Sequence, residues 1–346
     1  MSTKMLQEIM EQPTALANIE EYNKETLTKL AQELNDKKVD RVAFSCRGTS
    51  MHASIYGEYL LAIKAGIVST IIMPSSVTLY GASYNFGNSL VVGVSQSGAA
   101  ADVMAVIEQA NACGSVTVAI TNEPDSPLAK LAKYHLYCNA GPEISVAATK
   151  TFTTQMAAIA YMIAYWKNDQ KLLGCLRDLP KYAAETLAYC DSVLPELAKD
   201  YKDMTEGFIL SRGLNYAISL EATLKLQETC YIKIKGFAAS DFWHGPLAQV
   251  QPGMPVIVYA PKGVALKNCQ EIADKIREIG VTPLMITNDK DTAAQGVSAL
   301  VPDTGCEFTQ PFVFAIFAQR FAEKVCELKG LNPDAPRNLK KVTITK

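Results

Sequence analysis

The stretch LVVGVSQSGAAAD, Leu90 to Asp102, decides the fold. A short apolar run breaks into Ser95, Gln96, Ser97 and Gly98 and then passes into small helix formers. Such a run fits a strand buried on both faces, and the change of pattern fits a turn into a crossover helix. Similar runs occur at 39–46, 68–74, 115–121 and 134–139, and again at 207–213, 255–261, 281–287 and 299–303. Alternation of short strands with helical patterns predicts βαβ units around a parallel sheet.

The two halves repeat one scheme. SCRGTS (45–50) aligns with LSRGLN (210–215), and VVGVSQSG (91–98) with VIVYAPKG (256–263), both 165 residues apart; VAITN (118–122) aligns with LMITN (284–288) at 166. The sequence therefore predicts a helical segment at 1–36, an α/β domain at 37–168, a helical connection at 169–203, a second α/β domain at 204–336 and a tail at 337–346. The apolar segment 156–166 is too short for a bilayer and reads as a buried helix.

Composition narrows the function. The 33 basic residues are dispersed among 35 acidic ones for a formal charge of -2, which argues against a nucleic-acid partner. Nine scattered cysteines without a C-x-x-C pair fit reduced thiols and a cytoplasmic setting. The acidic N-terminus does not read as a signal peptide, and no apolar stretch predicts a membrane span. Neither a dinucleotide fingerprint nor a Walker loop is present, and three histidines without metal-ligand spacing predict no metal or other cofactor.

Gly48, Thr49 and Ser50, like Ser95 to Gly98, stand where a strand runs into a helix. Unpaired N–H groups and the helix dipole favour an anion there, and a phosphate is the natural occupant. Ser and Thr also serve as plain helix caps. The second copy has Ala260, Pro261, Lys262 and Gly263 in place of Ser95 to Gly98, and the loss of hydroxyls favours binding over capping in the first. Residues 217–236 read as one helix, with Glu221, Lys225 and Glu228 on one face and Leu220, Leu224 and Leu226 turned to packing neighbours. The charges are either a solvated stripe or a proton-transfer group. His244, in a Gly-Pro turn, and the tail lysines have structural readings beside catalytic ones.

In order, CRGTS, VSQSG, AGPEISVAATKTFTTQ, LEATLKLQE, HGPLA and PRNLKKVT resemble the sugar isomerase (SIS) family, and in particular the isomerase half of glucosamine-6-phosphate synthase. The resemblance implies two tandem doubly wound, flavodoxin-like SIS domains and a phosphosugar site. In it Ser50, Ser95, Gln96 and Ser97 hold the phosphate, and Glu228 moves a proton between C1 and C2. It further implies that His244, donated by the other subunit of a homodimer, opens the ring, that Lys341 meets the sugar carbonyl, and that Glu221 and Lys225 support Glu228. Ala148 and Lys150 fall in the sugar-contacting segment.

Ala100 and Ala148 depart from the synthase pattern, which has a threonine and a serine there. The synthase also carries a glutaminase domain with a cysteine after the initiator methionine, whereas this chain begins Met-Ser and is expected not to draw ammonia from glutamine. The expectation is a synthase-like glucosamine-6-phosphate deaminase acting on a phosphorylated amino sugar. Rival readings are a related aldose–ketose isomerase, a glutaminase-less aminotransferase, a fructosamine-phosphate deglycase and, from another class, a non-catalytic phosphosugar sensor.

Overall fold

The computed structural model describes residues 2–341. Helices α1 (Lys4–Met10), α2 (Gln12–Ala17) and α3 (Ile19–Asp36) come first. The first sheet is built from β1 (Arg41–Cys46), β2 (Val68–Ile72), β3 (Ser89–Val94), β4 (Val116–Thr121) and β5 (Tyr134–Tyr137). Between these strands lie α4 (Gly48–Ala65), α5 (Pro74–Thr78), α6 (Ala101–Ala112) and α7 (Pro127–Leu131). Three helices follow: α8 (Lys150–Trp166), α9 (Gln170–Arg177) and α10 (Leu179–Leu197). The second sheet uses β6 (Glu206–Ser211), β7 (Lys233–Ala238), β8 (Val256–Ala260), β9 (Leu284–Thr287) and β10 (Ser298–Leu300). Its helices are α11 (Tyr216–Cys230), α12 (Ala239–Phe242), α13 (Leu266–Glu278), α14 (Lys290–Ala293) and α15 (Gln310–Leu328).

Both sheets are parallel throughout. The first runs β2-β1-β3-β4-β5; the second, read from β7, runs β7-β6-β8-β9-β10, the same order in its own copy. This is the flavodoxin-like arrangement, whose ligands gather at the carboxyl ends of the strands where the order reverses. In each sheet that point is the pair formed by the first and third strands, β1 with β3 and β6 with β8.

The helices read as the pattern requires. α6 buries Val103, Val106, Ile107 and Ala110, and α13 buries Cys269, Ile272, Ala273 and Ile276, each set at i, i+3, i+4 and i+7. Each stripe packs on its own sheet, α6 on Val91 and Ala119, α13 on Val256, Val258 and Met285. Full burial of such side chains contributes about 1.5–3 kcal/mol apiece for the larger ones. α8 opens with polar residues and is apolar on every side from Met156 onward, and all of it except Tyr165 is buried.

One expectation fails here. The helix expected over 217–236 stops at Cys230, where Tyr231 adopts a left-handed conformation (φ 59) and caps it through an N–H bond to the Leu226 carbonyl. Lys233–Ala238 then forms the edge strand β7, paired with β6. Alternating Ile and Lys suit an edge, with Ile234 buried and Lys233 and Lys235 exposed. Gly236 is required by close approach, since a Cβ there would lie 2.7 Å from the Ser219 carbonyl oxygen of α11.

The chain forms two compact bodies. One contains residues 14–143, 150–178 and the tail from 340; the other contains the residues up to 13, 144–149 and 179–339. No helix among the described residues is long and apolar enough to cross a membrane.

Candidate functional site

In the first body, two strand-to-helix turns stand side by side at the switch point. After β1, Arg47 is extended and Gly48 takes φ +52, so that Gly48, Thr49 and Ser50 form the first turn of α4 without a side-chain cap. Ser50 is buried and Thr49 half-buried. After β3, Ser95 is buried at the rim of the sheet, and Gln96 and Ser97 are half-buried. Their backbone is fixed by bonds from Ser95 N–H to the Ile120 carbonyl (3.1 Å), from Asn122 N–H to the Gln96 carbonyl (2.9 Å) and from Gly98 N–H to the Ser95 carbonyl (3.2 Å).

Gly98 has a structural reason to be glycine. Its φ is +61, and a Cβ would come within 2.1 Å of Ser126 Oγ, the side chain that caps α7. Beyond it, Ala100 occupies the N-cap of α6 and offers no side-chain acceptor. Asp102, in the first turn and 1% exposed, instead accepts from Arg47 Nε at 2.9 Å. That ion pair ties the turn after β1 to the helix that follows β3.

A third group of the same body surrounds Glu143. Its side chain is fully buried; it accepts from Thr151 N–H (3.1 Å) and Thr151 Oγ1 (2.7 Å) at the start of α8, and from Lys341 Nζ at 3.0 Å. Lys150, beside Thr151 in sequence, is buried as well, and a Cβ on Gly141 would meet its Nζ at 3.6 Å. Glu143 received no role from sequence reasoning. The available signal was a carboxylate eight residues before a helix-opening threonine, which suits the positive end of a helix.

The second body carries α11. Glu221 and Lys225 are 1% and 0% exposed, so the charged face is no solvated stripe. Lys225 Nζ lies 3.2 Å from Glu221 Oε1 and 2.7 Å from Glu228 Oε2. These contacts are ion pairs rather than well-directed hydrogen bonds, because neither Lys225 Nζ nor Glu228 Oε2 meets hydrogen-bond geometry. Burial works against the ammonium, yet the two carboxylates outweigh it and hold Lys225 above its ordinary pKa. The Glu228 side chain keeps 20% of its surface, so it alone of the three is open to a reactant. Leu226 is buried as expected, whereas Leu220 and Leu224 are only half-buried.

His244 is exposed on the turn after α12, ahead of Gly245 (φ +136). It lines a groove of about 270 Å³ with Arg212, Ser240, Trp243, Asn268 and Glu271. Ala148 is half-buried in the segment that belongs to this second body. All nine cysteines are free thiols, and no cluster suited to a metal ion occurs among the described residues.

The SIS domain family model matches residues 33–165 and 206–322, one segment for each sheet. The chain belongs to the SIS domain family. Among its relatives is the isomerizing glutamine–fructose-6-phosphate aminotransferase of Methanothermobacter thermautotrophicus, 34% identical over 97% of this chain and 56% of that protein. The chain thus spans a little over half the length of the curated relatives it matches. The C-terminal domain of the glucosamine-fructose-6-phosphate aminotransferase of Francisella tularensis has a TM-score of 0.86 at 27% identity, covering 97% of this chain and 99% of that one. Glucosamine-6-phosphate deaminase of Thermotoga maritima shares the fold, with a TM-score of 0.81 at 19% identity over 99% and 100% of the two chains.

The turns after β1 and β6 share one backbone, whereas those after β3 and β8 differ, with Gly98 at φ +61 and Gly263 at +127. Arg47 and Arg212 have nearly the same torsions (φ -141, ψ 158 and φ -142, ψ 149), and the glycine after each is left-handed at +52 and +62. In the second SIS domain the turn after β8 is already occupied by an acid. Val264 N–H donates to Glu307 Oε1 at 3.3 Å, and a Cβ on Gly263 would sit 2.8 Å from the same oxygen. Lys262 of this turn is engaged by Asp303 at 3.4 Å.

Proposed function

We propose that this chain is a phosphosugar isomerase that converts glucosamine 6-phosphate and water into fructose 6-phosphate and ammonia. The observation that carries the reading is the buried Glu221–Lys225–Glu228 cluster from which only Glu228 emerges. Ser50, Ser95, Gln96 and Ser97, with the amides of their turns, hold the phosphate. His244 assists opening of the pyranose, which exposes the C1 aldehyde. Glu228 takes the proton from C2 and returns it to C1, leaving an imine at C2 whose hydrolysis releases ammonia. Lys225 holds Glu228 in place, and Lys341, kept at hand by Glu143, meets the sugar carbonyl. Lys150 and Ala148 belong to the same sugar-contacting segment. The assignment of these groups to one substrate rests on the family resemblance, as does a cytoplasmic homodimer in which His244 completes the partner's site.

The protein incubated with glucosamine 6-phosphate is expected to release ammonia without glutamine. Glu228→Gln is expected to lose about 10² to 10⁴ in rate, the usual contribution of a placed acid–base group. No ammonia from the wild type would sink the deaminase reading, and a panel of phosphorylated amino sugars and fructosamine phosphates then identifies the substrate. A second reading, synthesis from fructose 6-phosphate and ammonia, is favoured by the aminotransferase relatives and is tested by running the same assay in reverse. Tight sugar-phosphate binding with no turnover in either direction would favour a sensor.

A further inference from the structure

The segment Ile144–Thr149 contains Ala148 and belongs to the same compact body as α1. Apolar packing does little for its first residue, since Ile144 is 58% exposed. What grips it is Glu8 of α1, itself buried at 4% exposure. The Glu8 carboxylate accepts from Ile144 N–H, from Ser145 N–H (3.1 Å) and from the Ser145 hydroxyl. No Lys or Arg pairs with Glu8 among the described residues, so this loop supplies the hydrogen bonds that a buried carboxyl group requires.

The other end of the segment is tied to the same stretch of chain. Thr149 carbonyl accepts from Gln319 Nε2 at 3.0 Å, and Gln319 Oε1 accepts from Gln12 Nε2 at 2.9 Å, with both glutamines fully buried. α1 is anchored in turn, because the Asp334 carboxylate accepts from Lys4 and Met5 N–H at 2.8 and 2.9 Å. Three polar groups of one dipeptide converge on this one carboxyl, which fixes the backbone there in direction as well as position. Only Ile144 of the segment is exposed; Ser145, Ala147 and Thr149 are buried, so the carboxylate meets the loop where it enters the interior.

We infer that Glu8 is a positioning residue: it sets the backbone of 144–149 and through it the place of Ala148 against the sugar. This rests on the phosphosugar reading above. The backbone placement itself stands apart from that reading.

Glu8→Gln keeps the size of the side chain but turns an amide donor toward loop donors. Its Ile144 and Ser145 amides are expected to exchange hydrogen about tenfold faster or more, with those of β3 and β8 unchanged. KM for glucosamine 6-phosphate should rise about tenfold while kcat stays within about twofold, the mark of lost substrate positioning rather than lost chemistry. Ser145→Ala should shift both in the same direction by less. A lower melting temperature with KM unchanged would make Glu8 merely structural and overturn the inference. Should Glu8→Gln fail to fold, Ser145→Ala decides: a raised KM supports it and an unchanged KM overturns it. A wild type that does not turn over glucosamine 6-phosphate removes the deaminase reading alone. In that event amide exchange at 144–145 decides the placement, and no acceleration overturns it.

Discussion

Lys225 is an ammonium with no exposed surface, held between two acids on its own helix. Truncating one member of a buried ion cluster leaves the others uncompensated, which typically costs about 3–5 kcal/mol. Lys225→Met should therefore lower the unfolding free energy by an amount of that order, seen as a lower denaturation midpoint, and adding Glu221→Gln should recover part of the loss. A midpoint unchanged by Lys225→Met would contradict the account. Because its folded pKa is raised above the ordinary 10.5, the stabilisation from Lys225 is complete below that pH and drains away only as pH rises through the higher folded value. Neutral and mildly alkaline titrations should leave it intact. The helical spacing of Glu221, Lys225 and Glu228 was readable in the sequence; that their face points inward was not. Periodicity identifies a face, but what covers it depends on elements distant in the chain, and here Leu220 and Leu224 beside the charges are only half-buried.

At the scale of elements, strands β1, β3, β4, β8 and β9 were legible because each is a short apolar run flanked by turn residues. β7 was not, since its alternating Ile and Lys follow a strong helix pattern without a glycine or proline to divide them. The repeat held the missing information: β2 begins at Val68 and β7 at Lys233, the same 165 residues that separate Arg41 from Glu206. Gly98 was legible as a turn residue, but its closest constraint was not: a Cβ there would run into Ser126, 28 residues further on. Glu143 escaped for a simpler reason, as one of its partners, Lys341, lies 198 residues away. The Glu8 grip on residues 144 and 145 spans 136 and 137 residues and was equally invisible.

For the whole molecule, duplication was the most legible property, and the observed strand orders repeat it copy for copy. His244 stands exposed in the second copy. If it serves a partner subunit, mixing Glu228→Gln with His244→Ala protein should restore activity that neither has alone, because one mixed site then receives both intact groups. Mixtures that remain as inactive as the separate variants would count against a shared site. The acid at the second turn carries a different consequence, one of stoichiometry. Glu307 already occupies the amide that an outside anion would need, so the inherited turn comes with a resident counter-ion. Titration calorimetry should then find one equivalent of sugar phosphate bound per chain, although each sheet has a turn at that place. A second equivalent would show that the carboxylate yields its place.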